Sequence, residues 1–140
     1  MKTILASIFV LLVMTACRCG ATTLGDFFAN IKLSTPQDLS AEIGMILGNS
    51  HGSSSSDGIV LSVEPGLKGV KGHIGYGMFG NSYIPTSGRL TATYFLNEDS
   101  EHYAGVEYLF SLCLCCINVG VLQAFGKNDT ICTAGIGFGF

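Results

Sequence analysis

The chain has 140 residues, enough for one domain and too few for two independent cores. Charged residues make up only 12% of it, about half the share of a typical soluble domain, whereas 48% of residues are hydrophobic. The formal net charge is −3, and nucleic-acid binding, which needs a basic face, is therefore not expected. Two causes can produce so apolar a composition, an export segment and a folded surface that faces lipid, and we expect both.

The first element is an export signal. Lys2 precedes an almost unbroken apolar stretch over residues 4–14, which has the length of a signal-peptide core and is too short to span a bilayer as a helix. An uncleaved start-transfer helix is the alternative. Export places the rest of the chain in an oxidising compartment, where disulfides can form.

Two cleavage sites fit this signal. Residues 13–17 read Val-Met-Thr-Ala-Cys and resemble the lipobox of bacterial lipoproteins, which implies lipidation of Cys17 as the first mature residue. Ordinary signal peptidase could instead cut after Ala21. Residues 1–21 are therefore the signal and processing region, and residues 22–140 form a single domain.

The mature chain alternates between apolar residues and polar or small ones, which is the period of β-strands. In the last segment, for example, Ile136 and Phe138 share a face opposite Gly135 and Gly137. The alternating segments are 25–33, 41–47, 59–64, 68–79, 89–96, 103–112 and 130–140. Segment 25–33 could equally be a short helix. Turn-forming residues separate the segments at 34–36, 48–58, 65–66, 80–88, 97–102 and 127–129.

Residues 108–126 carry no charge and are long enough for a membrane helix. Ser111, Asn118 and Gln123 interrupt the run, and its neighbours are β-rich. We therefore interpret it as two strands joined near residues 115–118, which brings the count to seven strands, or eight with residues 25–33.

The polar faces of these strands distinguish a membrane barrel from a soluble sandwich. They contain glycine, serine, threonine and isolated charges rather than the many lysines and glutamates of a water-exposed sheet. A narrow lumen needs small residues, and the chain has 19 glycines. We predict an all-β, small antiparallel up-and-down β-barrel of about eight strands. Its expected lumen-facing charges, which could pair with one another, are Glu42, Glu64, Lys71, His73, Arg89 and Glu107.

The C-terminus supports the same interpretation. Ile136, Phe138 and the terminal Phe140 resemble the C-terminal assembly signal of bacterial outer-membrane proteins. The resemblance covers only the last strand. It implies an outer-membrane location, with membrane lipid and the outer-membrane assembly machinery as partners. The cysteines depart from that class of protein.

The cysteines and histidines do not predict a metal or cofactor site. Cys113, Cys115 and Cys116 lack the spacing of a zinc site, so we interpret them and Cys132 as small residues on a buried or lipid-facing side. A disulfide from Cys132 to one of the other three is the alternative. No catalytic motif is present.

Three functions fit the sequence. The first is an outer-membrane barrel with a structural or interaction role. The second is a lipid-anchored periplasmic β-domain that binds an apolar ligand or a partner protein. The third is a lipid-modifying outer-membrane enzyme, for which the clustered candidates are Ser100, Glu101 and His102.

Overall fold

The chain folds into a closed barrel. The computed structural model describes residues 26–50, 55–81 and 85–139, and within them eight antiparallel strands pair in sequence order, with β1 pairing to β8. The strands are β1 (Asp26–Thr35), β2 (Asp38–Ser50), β3 (Ser55–Gly66), β4 (Gly69–Asn81), β5 (Pro85–Asn97), β6 (His102–Leu112), β7 (Cys115–Ala124) and β8 (Thr130–Gly139). The predicted up-and-down barrel is confirmed, and β1 supplies the eighth strand.

Several predicted turns are displaced because their glycines belong to strands. Gly48 and Gly58 pair directly across β2 and β3, and a Cβ added at Gly48 would lie 2.5 Å from the Cα of Gly58. The close approach of the two strands therefore explains these glycines. Pro65 and Gly66 likewise end β3, so the predicted turn at 65–66 is wrong, and the chain turns at residues 67–68.

The uncharged run over residues 108–126 contains the end of β6 and all of β7. The turn between them lies at Cys113 and Leu114, earlier than the predicted 115–118, and Cys113 takes a positive φ of 56° there. Among the described residues, no helix has the length and apolar character needed to span a membrane.

The strands are staggered around the barrel. Following the cross-strand partners around the barrel from β1 to β8 and on to β2 leads from Thr35 through Ala134, Val119, Tyr108, Leu90, Tyr76 and Ile59 to Leu47. Its neighbour Ile46 pairs with Asp26 at the other end of β1, so one circuit shifts the register by about ten residues. Eight strands with such a stagger are strongly tilted, and their lumen is just wide enough for side chains to fill it.

The barrel has two ends. The terminal end is where β1 begins and β8 ends, and the far end is where β1 turns into β2 at Pro36 and Gln37. An apolar cluster occupies the lumen at each end. We call them the terminal plug, formed by Phe28, Ile46, Val60 and Phe79, and the far plug, formed by Phe95, Tyr103, Leu122, Ala124 and Ile131.

Candidate functional site: a buried charge network inside an apolar wall

A layer of charged side chains fills the lumen between the two plugs. Three lysine or arginine cations lie there with three carboxylates, and all six are buried. The cations are Lys32, Lys71 and Arg89, and the carboxylates are Glu42, Glu64 and Glu107. His73 lies among them and is also buried. The equal numbers of fixed positive and negative charges compensate the cost of removing ions from water.

The side chains of this layer form one connected network. Arg89 pairs with Glu42, which also lies 3.0 Å from the Lys32 ammonium. Lys32 donates in turn to Glu64, a carboxylate that accepts a hydrogen bond from Ser40 at 2.6 Å.

His73 connects this group to the ion pair between Lys71 and Glu107. Its Nε2 lies 3.1 Å from Glu64, and its Nδ1 lies 2.9 Å from the Thr93 hydroxyl. Glu107 is 3.5 Å from the same Nδ1 and accepts a hydrogen bond from Lys71 at 2.8 Å. The network therefore draws on six of the eight strands, β1 to β6.

Each plug meets the charged layer through a cation over an aromatic ring. The Arg89 guanidinium lies 4.4 Å from the centre of the Phe28 ring in the terminal plug. The Lys71 ammonium lies 6.0 Å from the centre of the Phe95 ring in the far plug. Both contacts fall within the range of cation–π attraction, with Lys71 at its limit.

Glycine makes room for this layer. A Cβ added at Gly137 would lie 2.6 Å from the Cγ of Lys32, and one added at Gly120 would lie 2.5 Å from the Cγ of Glu107. Both distances are shorter than real Cβ contacts allow, so the inward glycines of β7 and β8 face the charged side chains of other strands.

The outer face of the barrel is apolar on all eight strands. Large hydrophobic side chains such as Ile31, Ile43, Ile74 and Ile136 are exposed there. Among the described strand side chains, the Asp, Glu, Lys and Arg outside the lumen are Asp38, which begins β2, and Asp57, near the start of β3.

The length of the strands fits a bilayer. They run from 10 residues in β1 to 13 in β2, which at ~3.3 Å per residue and a tilt of ~40° spans about 25–33 Å along the axis. The apolar band of transmembrane barrels is about 25 Å tall.

The residues considered for lipid-modifying chemistry lie at the far end but make separate contacts. His102 Nδ1 bonds to the Tyr94 hydroxyl, whereas Glu101 accepts from Lys127 at 2.5 Å and from Tyr103 at 2.8 Å. These hydrogen bonds, Lys127 first, hold the pKa of the Glu101 carboxyl below its usual value. In the described part of the chain, no hydrogen bond joins Ser100, Glu101 and His102 into a proton relay.

The remaining predicted sites fall in two groups. Ile136 and Phe138 are exposed on the outer face of β8, while Cys17, Phe140 and the whole processing region lie outside the described residues. Cys113, Cys115, Cys116 and Cys132 are free thiols, of which Cys116 alone is buried. Three or more metal-ligating side chains do not cluster anywhere in the described ranges.

Sequence reasoning missed Lys32 as a member of the charged layer and missed both plugs. The plugs had a visible signal, because two bulky residues in succession break the alternation near strand ends. Phe27 and Phe28, Tyr94 and Phe95, and Val121 and Leu122 are such pairs, in which the second residue is buried.

Comparison with known proteins gives no further assignment. No family model matches the chain, and neither a curated protein nor a solved structure does.

Proposed function

We propose that the chain is an integral β-barrel of the bacterial outer membrane that serves a structural or interaction role. The observation that carries this proposal is the arrangement of polarity, with exposed apolar side chains on all eight strands around a buried, charge-balanced interior. A soluble barrel in water would expose its polar residues and bury its apolar ones. An exposed apolar surface of this extent is typical of a wall that contacts lipid.

The filled lumen favours a structural or interaction role over transport. Large side chains in both plugs are fully buried, among them Val60, Phe95 and Leu122. The charged layer borders a small cavity of about 10 Å³, which has room for about one water molecule. Such a space and its charged lining suit neither a permeant solute nor an apolar ligand, so contacts with partners would be made by the rims and the outer wall.

Fractionation of the full chain, expressed without a C-terminal tag in a bacterium with two membranes, tests the location. We expect the protein in the outer-membrane fraction, resistant to alkaline extraction, with an electrophoretic mobility that changes on heating. Recovery in the soluble periplasmic fraction would overturn the proposal.

A matched pair of substitutions tests the lipid contact itself. Ile74 is 56% exposed in the middle of β4, and Leu67 is 70% exposed in the turn before it. Ile74→Arg should destabilise the barrel in lipid vesicles by about 2–4 kcal/mol, whereas Leu67→Arg should cost about 0–1 kcal/mol. Equal effects of the two substitutions would argue against a bilayer around β4.

A further inference from the structure

Most of the buried polar atoms that lack partners in the described ranges lie on one wall of the lumen. Among the described residues, hydrogen-bond partners are missing for Ser34 Oγ, Gln37 Oε1, Thr133 Oγ1 and both amide atoms of Asn118. All four residues are at least 95% buried. Ser34, Asn118 and Thr133 belong to β1, β7 and β8, which are consecutive around the closed barrel, and Gln37 lies in the turn after β1.

These atoms are neighbours across the sheet. Gly135 on β8 pairs with Ser34 on one side and with Asn118 on the other. A Cβ added at Gly135 would lie 2.4 Å from Asn118 Oδ1 and 2.5 Å from Ser34 Cβ, so both side chains crowd over the same glycine.

Thr133 extends the row along β8 toward the far end. It pairs with Gly120, where an added Cβ would lie 2.8 Å from Thr133 Oγ1 and 2.5 Å from Glu107 Cγ. Gln37 is not part of this row, because its Nε2 reaches across the far end to the Glu64 carbonyl on β3 at 2.9 Å and to the Gly69 carbonyl on β4 at 3.3 Å.

The row ends at the central cavity. Asn118 lines this space of about 10 Å³ together with Lys32, Glu42, His73 and Arg89. A cavity of this size with several polar neighbours suits one water molecule. On the terminal side of the charged layer lie the apolar side chains of the terminal plug.

We propose that this wall binds ordered water, which we call the water column, running from Ser34 and Thr133 to Asn118 and the central cavity. Buried amides and hydroxyls in native proteins are almost always hydrogen-bonded, and water is the small donor and acceptor that can serve the four atoms of this wall. The column lies on the far side of the charged layer, and the terminal plug lies on the other side of that layer. The column depends on the fold and not on the cellular location of the barrel.

Nuclear magnetic resonance of the full barrel in detergent micelles tests the column directly. We expect magnetisation transfer from water to the side-chain amide of Asn118, and none to the methyl groups of Leu122 and Val60, which are fully buried in the two plugs. Absence of the water contact at Asn118 overturns the proposal.

Two substitutions give a second readout, because the direction in which they change the urea midpoint depends on whether water is bound. Thr133→Val and Asn118→Leu each replace unpartnered polar atoms by apolar ones of similar size. If water binds there, both variants lose its hydrogen bonds, and their urea midpoints fall below that of the wild type. If the wall is dry, both midpoints rise, because orphaned polar groups have been removed, and that result also overturns the proposal. Thr91→Val is the matched control, since its hydroxyl has a protein partner, the Glu107 carbonyl at 3.3 Å, and should lower the midpoint in either case.

Discussion

The two ends of the lumen are closed in the same way by opposite halves of the barrel. Strands β1 to β4 supply the terminal plug, and strands β5 to β8 supply the far plug. Each plug presents an aromatic ring to a cation of the charged layer, but the contacts differ, with Arg89 at 4.4 Å from Phe28 and Lys71 at 6.0 Å from Phe95.

The electrostatic surroundings of the two cations also differ. Glu42, the partner of Arg89, keeps a second cation in Lys32, whereas Glu107 is paired with Lys71 and otherwise faces Thr93 and His73. The part of the network next to the far plug therefore depends on the single ion pair between Lys71 and Glu107. In the part next to the terminal plug, Glu42 is shared between Arg89 and Lys32.

We expect the largest effect from removing the cation of the single ion pair. Lys71→Leu leaves the buried Glu107 without a lysine or arginine, and we expect a loss of about 5 kcal/mol in the free energy of unfolding, the upper part of the range for breaking a buried pair. Arg89→Leu should cost about 3 kcal/mol, since Lys32 still compensates Glu42. Urea unfolding in lipid vesicles measures both.

The double variant Lys71→Leu with Glu107→Leu serves as the control for that prediction. It removes both charges, so most of the loss should be recovered. A double variant as unstable as Lys71→Leu alone would show that packing, and not charge, sets the cost.

The inward glycines test how tightly the charged layer is packed beside Glu107 and beside Lys32. Gly120→Ala near Glu107 and Gly137→Ala near Lys32 should each cost about 1–3 kcal/mol, because the added methyl group overpacks the charged layer. Gly72→Ala is the matched control on the outer face, where an added Cβ meets nothing within 4 Å, and its effect should stay within about 0.5 kcal/mol. Similar urea midpoints for all three variants would contradict a tightly filled lumen.

The plug rings give a smaller difference. Phe28→Leu removes the ring beneath Arg89 while keeping an apolar side chain, so part of its cost, about 1–2 kcal/mol, should come from the lost cation–π contact. Phe95→Leu should lose less of this attraction, because Lys71 lies at the limit of its range. A larger cost for Phe95→Leu in the same unfolding assay would reverse the order inferred from the distances.

The smallest expected effect is at the far rim. Lys127 and Tyr103 stabilise the charged form of Glu101 and lower its pKa, so this contribution is present above the ordinary carboxyl pKa and lost as the pH falls through the lowered value. The ion pair between Glu101 and Lys127 is exposed, so the change in the urea midpoint between neutral and acidic pH should be slight and should shrink in salt. Glu101→Gln should remove that increment, and an undiminished salt-sensitive increment in this variant would assign it to another group.

The sequence predicted more of the barrel wall than of the barrel lumen. Alternation marked the outward Ile74 and the inward His73 correctly, since neighbouring strand residues point to opposite faces whatever the register. Turn positions were less well predicted, because glycine serves both turns and close strand pairs. Gly48 and Gly58 are of the second kind.

The sequence by itself determined that the domain is all-β, that its strands have one apolar side, and that its charges lie on the other side. These are local properties of residues one or two positions apart. Only the tertiary structure decided that β1 closes the barrel, that Lys32 reaches Glu64 and Lys71 reaches Glu107, and that one wall keeps unpartnered polar atoms. Those features follow from the stagger of the strands, which brings together inward residues more than thirty positions apart in the chain.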